Sequence, residues 1–255
     1  MLKLNFKCYG FQLHLNLAAA NASFGSSVYK STNLAYLNWT AILLDTNKPL
    51  QLKIEANKLQ NELSCPSFLA RPTADSQFGN LLGDFRRGVD IKEFGQAVQL
   101  GLKNHYEVDR FTDSHTSVLA AKALFHKSRR RFAPVALDIY FDHLLIKHWA
   151  SFTAQGFDDF REQSFALLEQ RLPTMPRTMQ HSVGHMITHD WFEDYAKEEG
   201  IAKAIAVVAK RIRFPNTFHL AVDDINTNRD EIEARFLTFF PELITHIKIN
   251  GPENI

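Results

Sequence analysis

Most of the side chains that could bind a metal ion or move a proton at a regular spacing lie within residues 79–149. His105, Asp109 and Asp113 are each four residues apart, and so are Asp138 and Asp142. If these segments are helical, each set projects from one helical face. Two helices with inward imidazole and acidic faces would form a metal site. Donors of this kind without cysteine suit Mn²⁺, Mg²⁺ or Fe²⁺ better than structural zinc.

Three carboxylates of this stretch, those of Asp84, Asp138 and Asp142, lie among mainly apolar neighbours. Burying a charge costs several kcal/mol unless the charge is paired or bound to a cation. A bound cation would therefore explain why these three carboxylates lie among apolar residues. The alternative is a structural salt-bridge network with nearby arginines, namely Arg86, Arg87, Arg110, Arg130 and Arg131.

A second set of histidines, His181, His185 and His189, also shows four-residue spacing, with Asp190 as the one acidic residue beside it. Without further acidic partners, exposed or capping histidines are the expected interpretation. Three other histidines are expected to make local hydrogen bonds: His115, His126 and His148.

From residue 67 onward, apolar residues recur at three- and four-residue steps, which predicts amphipathic helices. Strand-like alternation and glycine-rich phosphate loops are absent from this region, which favours an all-α domain over a Rossmann or P-loop fold. Proline and glycine positions divide it into predicted helices over residues 78–85, 94–111, 118–132, 134–149, 157–172, 179–195, 201–212 and 228–240.

Residues 1–66 differ in composition, and we find no sustained apolar period of two or 3.6 in them. Short apolar runs at 41–44 and 50–54 could pair as a hairpin, although a loosely ordered extension is the expected interpretation. The segment makes a poor signal peptide. We therefore expect an atypical amino-terminal extension over residues 1–66 and a helical domain over residues 67–255.

The charge balance of the chain, 29 basic against 28 acidic residues, gives a formal net charge of +1. No bulk basic field is present, so neither nucleic acid nor a membrane is an expected partner. Two cysteines form no disulfide framework and fit a reducing cytoplasm. No run of eighteen apolar residues occurs.

Three blocks of the central stretch, residues 79–85, 105–113 and 130–143, resemble the motifs of the acyl carrier protein phosphodiesterase family in their order. The resemblance covers about residues 67 to 245. This family is all-helical and distantly similar to the HD-domain metal-dependent phosphohydrolases, so the resemblance implies an HD-like helical bundle.

The resemblance implies hydrolysis of the phosphodiester that joins 4′-phosphopantetheine to a serine of holo acyl carrier protein. The products would be apo carrier protein and phosphopantetheine, in a reaction assisted by Mn²⁺ and linked to fatty acid biosynthesis. The ion would be held by His105, Asp109 and some of Asp84, Asp138, Asp142 and His143. Such an ion would lower the pKa of a bound water that attacks phosphorus. Asp109 and Asp142 are the predicted catalytic carboxylates, and spacing leaves open which carboxylate is ligand and which is base.

The arginines of the same stretch fit this chemistry. Arg110, Arg130 or Arg131 could hold the non-bridging phosphate oxygens. Lys127 and Arg129 could meet the acidic carrier protein by electrostatic steering.

One departure from the family pattern falls at Pro66, where the family's short amino-terminal segment would place a histidine. Proline cannot bind a metal through its side chain. One hypothesis is that the segment before residue 67 has replaced the family's own. Two rivals to the phosphodiesterase interpretation stay open: a phosphohydrolase acting on a nucleotide or small phosphodiester, and a non-catalytic module that binds acyl carrier protein.

Overall fold

The computed structural model describes residues 3–8, 11–16, 64–212 and 214–253. The chain divides into two compact units, Met1–Asn57 and Lys58–Ile255. The boundary predicted between residues 66 and 67 stays a prediction.

The first unit contains an antiparallel hairpin of β1 (Lys3–Cys8) and β2 (Phe11–Asn16). In its register Leu4 pairs with Leu15, and Cys8 pairs with Phe11. Apolar and polar residues alternate along both strands, so the absence of a period of two inferred from the sequence is wrong here. The strands predicted at 41–44 and 50–54 lie outside the described residues.

The described part of the second unit contains helices and turns and no strand, which confirms the predicted all-α fold. Short 3₁₀ turns join several of the helices. The helices are α1 (Ser64–Phe68), α2 (Ala74–Leu82), α3 (Gln96–Ser114), α4 (Thr116–Leu124), α5 (Ala133–Lys147), α6 (Phe157–Arg171), α7 (Arg177–His189), α8 (Trp191–Tyr195), α9 (Glu198–Arg211), α10 (Ala221–Thr227) and α11 (Arg229–Asn250).

Two of the predicted helices are shorter or broken in the structure. The helix predicted to continue to residue 132 ends at Leu124, and a 3₁₀ turn at Arg130–Phe132 leads into α5. The helix predicted over 179–195 is interrupted at Asp190, whose φ of 44° is left-handed. The Asp190 carboxylate then accepts a hydrogen bond from the Glu193 N–H and caps α8.

The last helix, α11, is longer than predicted because it continues through Pro241. Proline removes one backbone donor and normally ends or kinks a helix. Here Pro241 is exposed, while Leu243 and Ile247 beyond it are buried in the core. Burial of these later side chains offsets the lost hydrogen bond and keeps the final turns helical.

The contact between α2 and α3 is close because glycine lies on both helices. A Cβ added at Gly79 would lie 2.3 Å from the Val98 carbonyl oxygen, and one at Gly101 would lie 2.8 Å from the Ser76 carbonyl oxygen. No real Cβ tolerates such distances, so the two backbones approach as only glycine permits. This contact sets the distance between the end of α2 and the middle of α3.

The core of the second unit is built from apolar side chains of most of its helices, and α5 is buried on nearly all sides. No helix among the described residues is long and apolar enough to cross a membrane.

Candidate active site

The candidate site forms where the end of α2 meets the middle of α3. Asp84 lies in the 3₁₀ turn Gly83–Phe85 that follows α2, and its Oδ1 is 3.9 Å from His105 Nε2. Asp109, one helical turn after His105, places its Oδ2 3.3 Å from the same nitrogen. The structure therefore brings together three of the predicted site residues around one imidazole nitrogen.

These three side chains differ in their access to solvent. The side chains of His105 and Asp84 are 2% and 3% exposed, whereas that of Asp109 is 26% exposed. Asp109 is thus the carboxylate of this group that an incoming molecule can reach.

Gly83 leaves the room that the imidazole occupies. A Cβ at this position would lie 2.0 Å from His105 Cδ2 and 2.2 Å from Nε2. The backbone of Gly83 is right-handed helical, so close approach of the ring explains the glycine here. This role adds a positioning residue to the site that residue spacing did not identify.

A buried polar network fixes α2 and α3 beside the site. Asn104 Nδ2 donates to Asn80 Oδ1 at 3.0 Å and to the Leu69 carbonyl oxygen at 2.8 Å. Asn80 Nδ2 in turn donates to Glu253 Oε2 at 2.9 Å, and the Glu253 side chain is buried. Because Asn104 precedes His105, this network holds the segment of α3 that presents the imidazole.

A tyrosine and an arginine lie at the edge of the site. The Tyr106 ring packs edge-on against the His105 ring with centroids 5.8 Å apart, and its hydroxyl accepts a hydrogen bond from Arg86 Nε at 3.1 Å. Arg86 also donates to the Val89 carbonyl oxygen at 2.7 Å. The Tyr106 hydroxyl and the Val89 carbonyl oxygen, and not the carboxylates of the site, therefore hold Arg86 in place.

Three predicted metal ligands lie on α5. Asp142 is buried and Asp138 is half-buried. His143 Nδ1 lies 2.9 Å from the Tyr195 carbonyl oxygen of α8, so one of its ring nitrogens is engaged there. Burial lowers the pKa of His143 more than the bond to this carbonyl raises it. A metal-binding role for Asp138, Asp142 and His143 stays a prediction.

As arranged, no group of three or more His, Cys, Asp or Glu side chains within residues 64–212 and 214–253 forms a metal cluster. The donor chemistry around His105 nevertheless fits a divalent ion. An imidazole nitrogen with two carboxylate oxygens inside 4 Å is a ligand set that Mn²⁺ and Fe²⁺ accept.

The predicted phosphate-binding arginines have other contacts. Arg110 is exposed and pairs with Glu107, and bonds from Arg110 and then His246 lower the pKa of that glutamate. Arg130 donates to the Ala123 carbonyl oxygen. The exposed Arg131 guanidinium lies 4.6 Å and 5.2 Å from the ring centroids of Phe132 and Phe214.

Arg129 is not the free surface cation that the sequence suggested. Its guanidinium binds Asp224 through two hydrogen bonds of 2.7 Å, and both side chains are largely buried. The pair joins the turn before α5 to α10, and the partners are 95 residues apart. Lys127, in contrast, is exposed.

Most of the other histidines have the roles expected of them. His181, His185 and His189 are exposed, and the Trp191 indole N–H donates to His185 Nδ1 at 3.1 Å. His115 and His126 make the expected local bonds, with Ser117 and Ser128, and His115 also bonds distant Glu242. The expectation of a local bond is wrong for His148, whose Nε2 lies 2.6 Å from Glu233, 85 residues away in the chain.

The fold and the site thus define a class of protein: an all-α domain in which an imidazole lies between two carboxylates. A family model described as acyl carrier protein phosphodiesterase matches residues 67–243. The chain belongs to the acyl carrier protein phosphodiesterase family, which confirms the resemblance seen in its motifs. The matched range contains Asp84, His105 and Asp109.

Curated relatives agree with this assignment. A protein of Serratia proteamaculans (strain 568), named acyl carrier protein phosphodiesterase, is 32% identical over 181 residues, which are 71% of this chain and 94% of that protein. A protein of the same name from Enterobacter sp. (strain 638) is 29% identical over 71% of this chain and 94% of its own length. One from Yersinia enterocolitica is 30% identical over 69% of this chain and 92% of its own length. No solved structure is significantly similar to the chain.

Proposed function

We propose that the protein hydrolyses the phosphodiester bond between 4′-phosphopantetheine and a serine of holo acyl carrier protein. The observation that carries this proposal is the His105 imidazole between Asp84 and Asp109, located inside the part of the chain that matches the family. The products are apo carrier protein and free phosphopantetheine.

Each side chain of the group has a role that follows from its burial. Asp84 is nearly inaccessible, so its carboxylate orients His105 and does not meet substrate. Asp109 reaches solvent, and its carboxylate accepts the proton of the attacking water. His105, which is as buried as Asp84, lies with its Nε2 3.3 Å from Asp109 Oδ2 and holds that carboxylate in position, while solvent supplies the proton for the departing serine oxygen.

We propose Mn²⁺ as the cofactor, with Asp84, His105 and Asp109 as the residues that would hold it. When bound, a divalent ion neutralises phosphate charge and lowers the pKa of a bound water. The ligand set around His105 supports this proposal through its chemistry.

Exposed cations within residues 79–149 support an acidic protein substrate. The Arg110 side chain is 75% exposed, and Lys127 and Arg131 are also exposed. Long-range attraction by such charges raises the association rate with a partner of opposite sign. We place the reaction in the cytoplasm and in fatty acid metabolism, which is where a carrier protein is loaded with acyl chains.

Mass spectrometry of holo acyl carrier protein tests the proposal. We expect the wild type with Mn²⁺ to remove the phosphopantetheine mass and Asp109→Asn to lose at least about 100-fold in rate, since a general base contributes roughly 10²–10⁴-fold. The matched control is Asp113→Asn, which removes an equal charge from an exposed residue of the same helix and should keep activity. An unchanged rate in Asp109→Asn would contradict the assignment of the base.

A second candidate, a module that binds acyl carrier protein without turnover, is favoured by Pro66. This residue is buried in the first turn of α1, where the family pattern would place a histidine. Saturable binding of holo carrier protein by the wild type without any loss of phosphopantetheine would support this second function.

A further inference from the structure

Arg86 is a cation whose side chain is anchored at both ends beside the His105 group. Its backbone follows Asp84 by two residues, directly after the 3₁₀ turn Gly83–Phe85. Its Nε donates to the hydroxyl of Tyr106, whose ring packs edge-on against the His105 ring. The Arg86 side chain therefore begins near Asp84 and ends on a neighbour of His105.

Solvent reaches this part of the site. Tyr106 is 46% exposed, Arg86 is half-buried, and the hydrogen bond between their side chains lies at the surface. Tyr106 precedes Asp109 by three residues on α3, so the two side chains are neighbours on one face of that helix. Asp109 is also the accessible carboxylate of the site. A molecule that approaches Asp109 from solvent therefore meets the Arg86–Tyr106 pair at the same surface.

The positive charge of Arg86 forms no ion pair with a carboxylate among the described residues. Its hydrogen bonds there go to uncharged oxygens, the Tyr106 hydroxyl at 3.1 Å and the Val89 carbonyl at 2.7 Å. A guanidinium has five N–H donors, so these bonds leave further donors on Nη1 and Nη2. The Arg129 guanidinium, in contrast, is neutralised by the carboxylate of Asp224. A half-buried cation without such a carboxylate favours an anionic ligand.

We propose that Arg86 binds the non-bridging oxygens of the substrate phosphodiester, an inference that rests on the proposed function. The remaining N–H groups of the guanidinium can donate to two phosphate oxygens at once, which is the strong, bidentate arrangement. Tyr106 is a positioning residue, because its hydroxyl and the Val89 carbonyl orient the guanidinium. The sequence analysis did not include Arg86 among the arginines that could hold phosphate.

The first test measures binding of 4′-phosphopantetheine, and of pantetheine without the phosphate, by calorimetry. We expect the wild type to bind phosphopantetheine at least about 10-fold more tightly than Arg86→Gln does, as the loss of charge-assisted hydrogen bonds predicts. Pantetheine should show no such difference, because it has no phosphate. Lys92→Gln is the matched control, since it removes an equal charge from an exposed residue of the next 3₁₀ turn, Ile91–Glu93. Phosphopantetheine binding by the wild type that is no tighter than that by Arg86→Gln would overturn the proposal.

The second test asks whether Arg86 contacts the phosphate or the carrier protein. We expect kcat/KM of Arg86→Gln for holo carrier protein to fall at least about 100-fold, the loss typical when a donor to transition-state charge is removed. The fall should be similar for bis(4-nitrophenyl) phosphate, which contains a phosphodiester and no carrier protein. Circular dichroism establishes that the variant is folded. A loss confined to holo carrier protein would assign Arg86 to carrier docking and contradict the phosphate role.

Tyr106→Phe tests the positioning role separately. This change keeps the ring beside His105 and removes the hydroxyl that accepts the hydrogen bond from Arg86 Nε. We expect the preference for phosphopantetheine over pantetheine to fall roughly 3- to 10-fold, as the loss of one hydrogen bond predicts. An unchanged preference would refute the positioning of Arg86 by Tyr106.

Binding and hydrolysis together separate this inference from the proposed function. Hydrolysis of holo carrier protein by the wild type, combined with equal phosphopantetheine binding by wild type and Arg86→Gln, would overturn the role of Arg86 and keep the function. Phosphate-dependent binding that is lost in Arg86→Gln, without hydrolysis of either phosphodiester by the wild type, would keep the role of Arg86 and overturn the function.

Discussion

Replacement of Gly83 by alanine tests how the imidazole is positioned. The added Cβ would lie 2.0 Å from His105 Cδ2, while carbon atoms in ordinary contact are about 3.5 Å apart. The ring must therefore move by about 1.5 Å, away from its present distances to Asp84 and Asp109. His105 is almost fully buried, so its neighbours resist this movement.

Two magnitudes follow for Gly83→Ala. Misplacement of a catalytic group by about 1 Å can cost about 100-fold in rate, so we expect kcat/KM to fall at least about that far. Overpacking of a well-packed interior costs about 1–3 kcal/mol. For a folded unit of this size that cost lowers Tm by roughly 2–12 °C.

The assay is the rate of release of phosphopantetheine from holo carrier protein, with circular dichroism to establish folding and Tm. Gly184→Ala is the matched control, since its Cβ would meet only Leu172 Cδ2 at an ordinary 3.9 Å. Alanine within helix α7 should stabilise the protein by about 0.5–1 kcal/mol and leave activity unchanged. A folded Gly83→Ala variant with wild-type kcat/KM would refute the reasoning, because the imidazole could then not require the space above Gly83.

Three further changes test the packing around the site. Burial raises the pKa of Asp224, but the hydrogen bonds from Arg129, the hydrogen bond from the His126 backbone and the charge of Arg129 together outweigh burial and hold that pKa below its ordinary value of 3.8. The pair therefore stabilises the fold above pH 3.8 and loses this effect as the pH falls further. Asp224→Asn should cost about 1.5–3 kcal/mol at pH 7 by urea unfolding, and a difference from wild type that does not shrink between about pH 5 and pH 3 would contradict this. Glu253→Ala should cost about 1–3 kcal/mol because it removes an acceptor of the buried Asn80 amide, and an unchanged Tm would argue against the network. Pro241→Ala should stabilise α11 by about 1–3 kcal/mol, since it restores a backbone donor at an exposed helical position, and a lower Tm would be inconsistent with that.

Local spacing was enough to predict part of this structure. Pro134 correctly predicts the start of α5, because its missing N–H has no partner to lose in a first turn. The four-residue interval between His105 and Asp109 correctly places both side chains on one face of α3. These features depend only on residues within a few turns of each other.

Features that depend on distant residues were not predictable from spacing. The approach of Asp84 to His105 requires the glycine contact between α2 and α3, which no local pattern encodes. The pairing of Arg129 with Asp224 joins residues far apart in the chain, so a run of basic residues looked like a solvated surface. Pro241 stays inside α11 because tertiary burial of later residues overrides its helix-breaking tendency.

The most direct test of the central claim is hydrolysis of holo acyl carrier protein in ¹⁸O-enriched water, with both products weighed by mass spectrometry. The parent protein and His105→Gln are compared after circular dichroism has established that both are folded. We predict that the parent protein releases phosphopantetheine with one heavy oxygen and apo carrier protein with none, and that His105→Gln releases neither. Turnover by His105→Gln at the parent rate, or heavy oxygen in the carrier protein in place of phosphopantetheine, would contradict attack of water on phosphorus at this site.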